Sequence, residues 1–133
     1  MRSEITLLVI IATLHLFIGG GHQYTHILAG VQNSPLQILF ILIVVTIAPW
    51  VAIYLVWKRK FKLGAILFSL SMGASLVFGL MLHFLVESPD LYLNVVPKHK
   101  ASFLYSALGL AFIEFVGFAY GARLALRDRS KSM

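Results

Sequence analysis

The chain has 133 residues, of which 59% are hydrophobic and 12% are charged, and its formal net charge is +6. This composition excludes an ordinary soluble domain, in which about half of the residues are apolar and about a quarter are charged. The absence of cysteine from the sequence excludes disulfides and thiolate metal sites. We expect no nucleic-acid partner, because the basic residues lie at the ends of apolar runs, where they set membrane topology.

Four apolar runs follow one another along the chain. A bilayer core about 30 Å thick requires roughly 20 helical residues, and backbone polar groups in lipid must be satisfied within each helix. We therefore predict an all-α integral membrane protein, a single domain over residues 1–133 with four transmembrane helices in a bundle. The predicted spans are 4–26, 35–57, 63–87 and 100–126. The first run lacks a good cleavage site, so we expect a span and not a cleaved signal peptide.

The distribution of Lys and Arg predicts the orientation. With four spans, one side of the membrane carries nine basic residues, namely Arg2, the four of 58–62 and the four of the C-terminal tail. The other side carries two basic residues, both in the third loop. The positive-inside rule therefore places both termini in the cytoplasm. We expect a multi-pass protein of the plasma or inner membrane, with the lipid bilayer as its surroundings.

In the first predicted helix, His15, Gly19, His22 and His26 are spaced by four, three and four residues and share one face. A polar stripe of this kind should face the interior of the bundle, since lipid cannot satisfy it. The helix reaches His22 only if it continues through the preceding glycines.

In the second predicted helix, Pro35 suits the first turn, where its missing N–H costs little. Pro49 should kink the helix, with Thr46 placed to satisfy the freed carbonyl groups.

The third predicted helix ends with His83 and Glu87, which point the same way if the helix continues one turn past Val86. Asp90 follows in the loop, and His99 precedes the fourth helix. With a rise of about 1.5 Å per residue, these residues lie at the same membrane face as the end of the first helix.

The polar residues at this extracytoplasmic face predict a metal site. The candidate ligands are His22, His26, His83, Glu87, Asp90 and His99. Imidazole and carboxylate donors suit Zn, Cu or non-haem Fe, and pairs spaced i, i+4 on two helices can place donors inside a bundle. The alternative is that the histidines bond headgroups, waters and loop carbonyls, and that no cofactor is present.

A second cofactor hypothesis is haem b, with His22 and His83 as axial ligands at matched depth. Gly79 and the glycines near His22 would let a flat macrocycle approach the backbone. The same glycines also fit close packing of membrane helices without any cofactor.

His15 and Glu114 form a deeper candidate pair inside the hydrocarbon layer. An ionised carboxylate there costs about 2.5–3.5 kcal/mol on insertion scales, so we expect Glu114 to be protonated or paired with His15. Such a pair is either a hydrogen bond that joins the first and fourth helices or part of a proton relay.

These features predict a small subunit or accessory protein of a membrane oxidoreductase or metalloenzyme complex, acting with other membrane subunits or as a homo-oligomer. A non-catalytic role is expected, because the sequence contains no nucleophile motif, P-loop or dinucleotide fingerprint. Two alternatives stay open: a purely structural membrane subunit, and a small proton-coupled transporter that uses Glu114 and His15.

Overall fold

A computed structural model gives the fold of the chain and describes residues 2–127. The described part is all-helical, with four helices long and apolar enough to cross a membrane. This confirms the predicted all-α class with four helices of membrane-spanning length, while their placement in a membrane and the side that each terminus faces stay predictions. Arg129 and Lys131 of the predicted cytoplasmic tail lie outside the described residues. The four helices are α1 (Arg2–Ala29), α2 (Pro35–Trp57), α3 (Phe61–Leu85) and α4 (Lys100–Ala125).

Helix α1 runs through its three glycines and past His26, one turn further than predicted. It stops at Gly30, whose φ of 69° lies in the left-handed region that favours glycine. The N–H groups of Gly30 and Val31 donate to the carbonyl oxygens of Ile27 and His26, at 3.2 and 3.0 Å. This Schellman motif satisfies the last carbonyls of the helix and fixes the position of His26.

Helix α2 begins with a capping box formed by Ser34 and Gln37 around Pro35. Its middle, Ile41–Ile47, is a π-helix, which precedes Pro49. In a π-helix each backbone N–H donates to the carbonyl oxygen five residues earlier. Pro49 has no N–H, so it cannot donate to the carbonyl of Val44. The Ser71 hydroxyl donates to that carbonyl at 2.8 Å. The expected role of Thr46 is therefore taken by a serine of α3.

Helix α3 ends in a short π-helix, Met81–Leu85. Val86 is extended, with a ψ of 135°, so the helix stops two residues before the predicted end at residue 87. The Ser88 hydroxyl donates to the carbonyl of Leu82 at 3.0 Å, which satisfies part of the helix end. The chain then turns through two short 3-10 segments, Tyr92–Asn94 and Pro97–His99, into α4.

Packing is dense in the half of the bundle that carries the described termini and the basic residues 58–62, here called the basic end. Helix α4 packs against α3 and α1, α2 packs against α3, and α1 meets α2 through the second half of α2. The buried apolar cluster, which includes Leu8, Val56, Phe68 and Leu124, fills this half. The opposite half, here called the histidine end, carries the buried His22, His26 and His83 and a cavity between α1 and α2.

Candidate metal centre

Three buried histidines converge at the histidine end. His22 and His26 lie one turn apart on α1, and the π-helical end of α3 supplies His83. The His22 Nε2 atom is 3.0 Å from the Nε2 of His83 and 3.0 Å from the Nε2 of His26. One nitrogen from each residue lies within 4.8 Å of the other two, so the three histidines could hold a metal ion. The three residues are only 3–8% exposed.

The outward nitrogen of each imidazole faces a separate group. His22 Nδ1 is 2.8 Å from the Ser106 hydroxyl, and His83 Nδ1 is 3.3 Å from the backbone carbonyl oxygen of Asp90. His26 Nδ1 lies 3.9 Å from a carboxylate oxygen of Asp90. Metal-binding histidines characteristically direct their second N–H to such a carbonyl or carboxylate, which fixes the tautomer and the ring orientation.

The Asp90 carbonyl determines which nitrogen of His83 carries the proton. A carbonyl only accepts, so His83 donates from Nδ1, and its Nε2 carries a lone pair that points into the cluster. The Ser106 hydroxyl lies 3.0 Å from the Phe103 carbonyl. When it donates there, it accepts from His22 Nδ1, and the Nε2 of His22 also presents a lone pair. In this tautomer two lone pairs face each other at 3.0 Å, and a cation between them removes their repulsion. In the other tautomer of His22, the Ser106 hydroxyl donates to Nδ1 and the Nε2–H group donates to His83.

Asp90 connects the loop after α3 to the cluster and to α2. It is 2% exposed, and the Gln37 amide donates to its second carboxylate oxygen at 3.4 Å. Burial raises the pKa of the Asp90 carboxyl above its usual range. Its Oδ1 and the facing His26 Nδ1 have no hydrogen-bond partner within residues 2–127. A small approach of the two atoms from 3.9 Å would form a carboxylate–histidine pair.

Phe103 of α4 forms one wall of the cluster. It is fully buried, and its ring centroid is 5.1 Å from that of each of the three histidines. The cavity between α1 and α2 lies on another side, because its lining includes the three histidines and does not include Phe103. The cluster is therefore shielded by an aromatic ring on one side and accessible from a cavity on another.

Three of the six predicted ligands, Glu87, His99 and Asp90, lie outside the group of three histidines. Glu87 is exposed, because α3 ends at Leu85 and the chain beyond it no longer follows the helical stripe of His83. The expected i, i+4 alignment of His83 with Glu87 is therefore absent. His99 is half-buried at the start of α4 and does not belong to the cluster. The carboxylate of Asp90 faces His26 Nδ1, and the backbone carbonyl of Asp90 faces His83 Nδ1, so Asp90 lies on the outer side of the two rings.

The predicted deeper pair is present. His15 Nε2 and a carboxylate oxygen of Glu114 are 3.2 Å apart, and each residue is 3% exposed. The contact joins α1 to α4. Both residues also line the cavity that reaches the three histidines. The pair and the cluster therefore line the same cavity.

Three contributors to the metal centre, Ser106, Phe103 and Gln37, were missed from the sequence. Phe103 resembles any apolar residue of a membrane helix and gives no signal. Gln37 is a polar residue in the first turn of α2, which is also where a capping residue is expected. Comparisons with protein families, curated proteins and solved structures find no match to this chain. The geometry of the described residues therefore carries the functional argument.

Proposed function

We propose that this chain is a small membrane-spanning subunit or accessory protein of a membrane oxidoreductase or other metalloenzyme complex. In this proposal it holds a transition-metal ion through His22, His26 and His83 at the extracytoplasmic face. The observation that carries the proposal is the convergence of three buried Nε2 atoms. The Nδ1 atom of each ring points away from the cluster toward a separate oxygen atom. The distribution of basic residues supports the extracytoplasmic placement.

Two of the three separations between the donor atoms, those that involve His22, are close to the separation around a bound ion. Zinc–imidazole bonds of about 2.0–2.1 Å at tetrahedral angles separate the nitrogens by about 3.3 Å. The two contacts of His22 Nε2 are 3.0 Å, so each must lengthen by a few tenths of an ångström. All three donor atoms lie within 4.8 Å of one another, so His26 and His83 approach each other by up to about 1.5 Å when an ion binds. Imidazole ligands suit Zn, Cu and Fe. Three protein donors leave a fourth position for water or substrate, which is typical of a catalytic zinc site.

The geometry does not favour haem b between His22 and His83. Two axial histidines lie on opposite faces of a haem, and the macrocycle occupies the plane between them. The Nε2 of His26 lies 3.0 Å from the Nε2 of His22, within the space that this plane would need. A compact ion coordinated by all three histidines fits the arrangement better.

The proposal of metal binding is tested by titrating the purified, chelator-treated protein in lipid nanodiscs with Zn²⁺ and with Cu²⁺. We expect one equivalent to bind, and we expect His83→Ala or His22→Ala to weaken binding at least 100-fold. His99→Ala is the matched control, since it removes a histidine outside the cluster and should leave binding unchanged. Equal binding by all four proteins would place the metal outside the cluster, and no binding by the wild type would leave the purely structural role; either result would overturn the proposal.

The role as a subunit or accessory protein is a separate part of the proposal. It is supported by the short loops, because the described connections between the four helices leave little chain outside the bundle for handling a substrate. Gentle solubilisation followed by native mass spectrometry tests it. We expect a complex with other membrane subunits, and a monomer that binds metal without any partner would contradict it.

The transporter hypothesis also has one specific observation, the buried His15–Glu114 contact beside a cavity. A pH-sensitive dye enclosed in liposomes tests it. If wild-type protein moves protons and Glu114→Gln does not, the transporter hypothesis replaces the subunit proposal. If neither protein moves protons, the pair acts as a contact between α1 and α4.

A further inference from the structure

A cavity of about 420 Å³ lies between α1 and α2. It extends from the three histidines to the His15–Glu114 pair, and its volume lies within the range of about 300–1,000 Å³ that is typical of small-molecule sites. His15 and His22 are seven residues apart on one helix, which separates the polar ends of the cavity by about 10 Å along the axis. The space between those ends is sufficient for a ring-sized molecule.

The cavity is reached from the surface that faces lipid. Leu16 of α1 and Ile38 and Leu42 of α2 line it, and these three residues are 46%, 55% and 51% exposed. The first half of α2, which includes the π-helix, is not packed closely against α1, because the two helices meet mainly beyond Ile47. A molecule dissolved in the bilayer can therefore enter between α1 and α2 without crossing water.

The walls and the inner end differ in chemistry. Trp50 and Phe78 place aromatic rings along the wall, and the inner end carries His15, Glu114 and Ser75. Ser75 is 2% exposed, and its hydroxyl has no hydrogen-bond partner in the described part of the chain. A buried hydroxyl without a hydrogen-bond partner is unfavourable, and a ligand with an oxygen atom at this position would satisfy it.

We infer that this cavity binds a lipid-soluble ring compound with oxygen atoms on the ring, of the quinone and quinol class. One ring oxygen hydrogen-bonds with Ser75 and with the His15–Glu114 pair, the ring packs against Trp50, and the apolar tail leaves between α1 and α2. Aromatic walls, polar groups at both ends and an entrance from lipid together match this class. The site goes beyond the proposed function, because binding does not require a metal ion.

Tryptophan fluorescence provides the test, because the chain has two tryptophans and only Trp50 lines the cavity. A Trp57→Phe variant in nanodiscs, kept metal-free with a chelator, is titrated with a short-tailed benzoquinone. We expect saturable quenching of Trp50 with a one-site curve. Quenching that rises linearly without saturation would show only partition into the bilayer and would overturn the inference, while the metal titration would remain an independent result.

Two variants of the Trp57→Phe protein sharpen the test. Val45→Phe fills the cavity, and Ser75→Ala removes the unpartnered hydroxyl at nearly constant shape; each should weaken quinone binding about tenfold or more. Val77→Phe is the control, since Val77 is 60% exposed and does not line the cavity. Naphthalene, a ring without oxygen atoms, should bind far more weakly than the quinone. Equal binding of naphthalene, or unchanged quinone binding in Ser75→Ala, would contradict the assignment.

Discussion

Replacing Asp90 with Asn isolates the support that a carboxylate gives to the metal centre. The variant keeps the size of the side chain and keeps the backbone carbonyl that accepts from His83 Nδ1 at 3.3 Å. It changes the group that faces His26 Nδ1 at 3.9 Å. An amide NH₂ in that place donates to Nδ1 and shifts the imidazole proton onto Nε2, the atom required for the metal.

The expected loss in Asp90→Asn follows from the effect of such outer contacts. Removing one typically costs 10–100-fold in metal affinity, which corresponds to about 1.4–2.7 kcal/mol. We therefore expect the dissociation constant for Zn²⁺ to rise 10–100-fold with the stoichiometry unchanged. Competition with a chromogenic chelator in nanodiscs measures this shift directly.

Glu87→Gln is the matched control for Asp90→Asn. It neutralises the other carboxylate of the same loop, and Glu87 is exposed and outside the cluster. We expect no more than a twofold change in affinity. Equal losses in the two variants would show that the loop acts through its overall charge, and the argument from the Asp90–His26 contact would be refuted.

Further predictions concern the packing of the bundle. Gly121→Val should destabilise the fold by about 1–3 kcal/mol, because a Cβ atom there would lie 2.8 Å from the backbone nitrogen of Ser69. Gly20→Val is its control, since a Cβ at Gly20 meets nothing within 4 Å in residues 2–127. Equal thermal stability of the two variants in one detergent would contradict the close contact between Gly121 and Ser69. Glu114→Ala should lower the free energy of unfolding by about 1–3 kcal/mol, because it leaves His15 without its partner. Unfolding in mixed micelles measures this change, and an unchanged midpoint would show that the contact does not hold α1 to α4.

The sequence alone was sufficient to predict the four helices and most of the residues that meet in the cluster. Helical spacing placed His22 and His26 on one stripe of α1, and depth in the membrane matched them to His83. The same reasoning paired His15 with Glu114, and the structure shows that contact at 3.2 Å. These predictions succeed because regular helices convert spacing in sequence into direction and depth.

The parts that could not be predicted depend on irregular backbone and on tertiary packing. The placement of Glu87 failed because α3 ends in a π-helix at Leu85, and nothing in the local sequence marks that change of register. The cavity was not foreseen because it results from the way α2 diverges from α1. Asp90 reaches the cluster through a loop that periodicity cannot position.

X-ray absorption spectroscopy of the Zn²⁺- or Cu²⁺-loaded protein tests the central claim most directly, because it counts the imidazole ligands. We expect three imidazole nitrogens at about 2.0–2.1 Å for zinc, the same number in His99→Ala, and one fewer in any His83→Ala protein that can still be loaded. A bound metal with mainly oxygen ligands, or an imidazole count that His83→Ala leaves unchanged, would contradict a centre built from His22, His26 and His83.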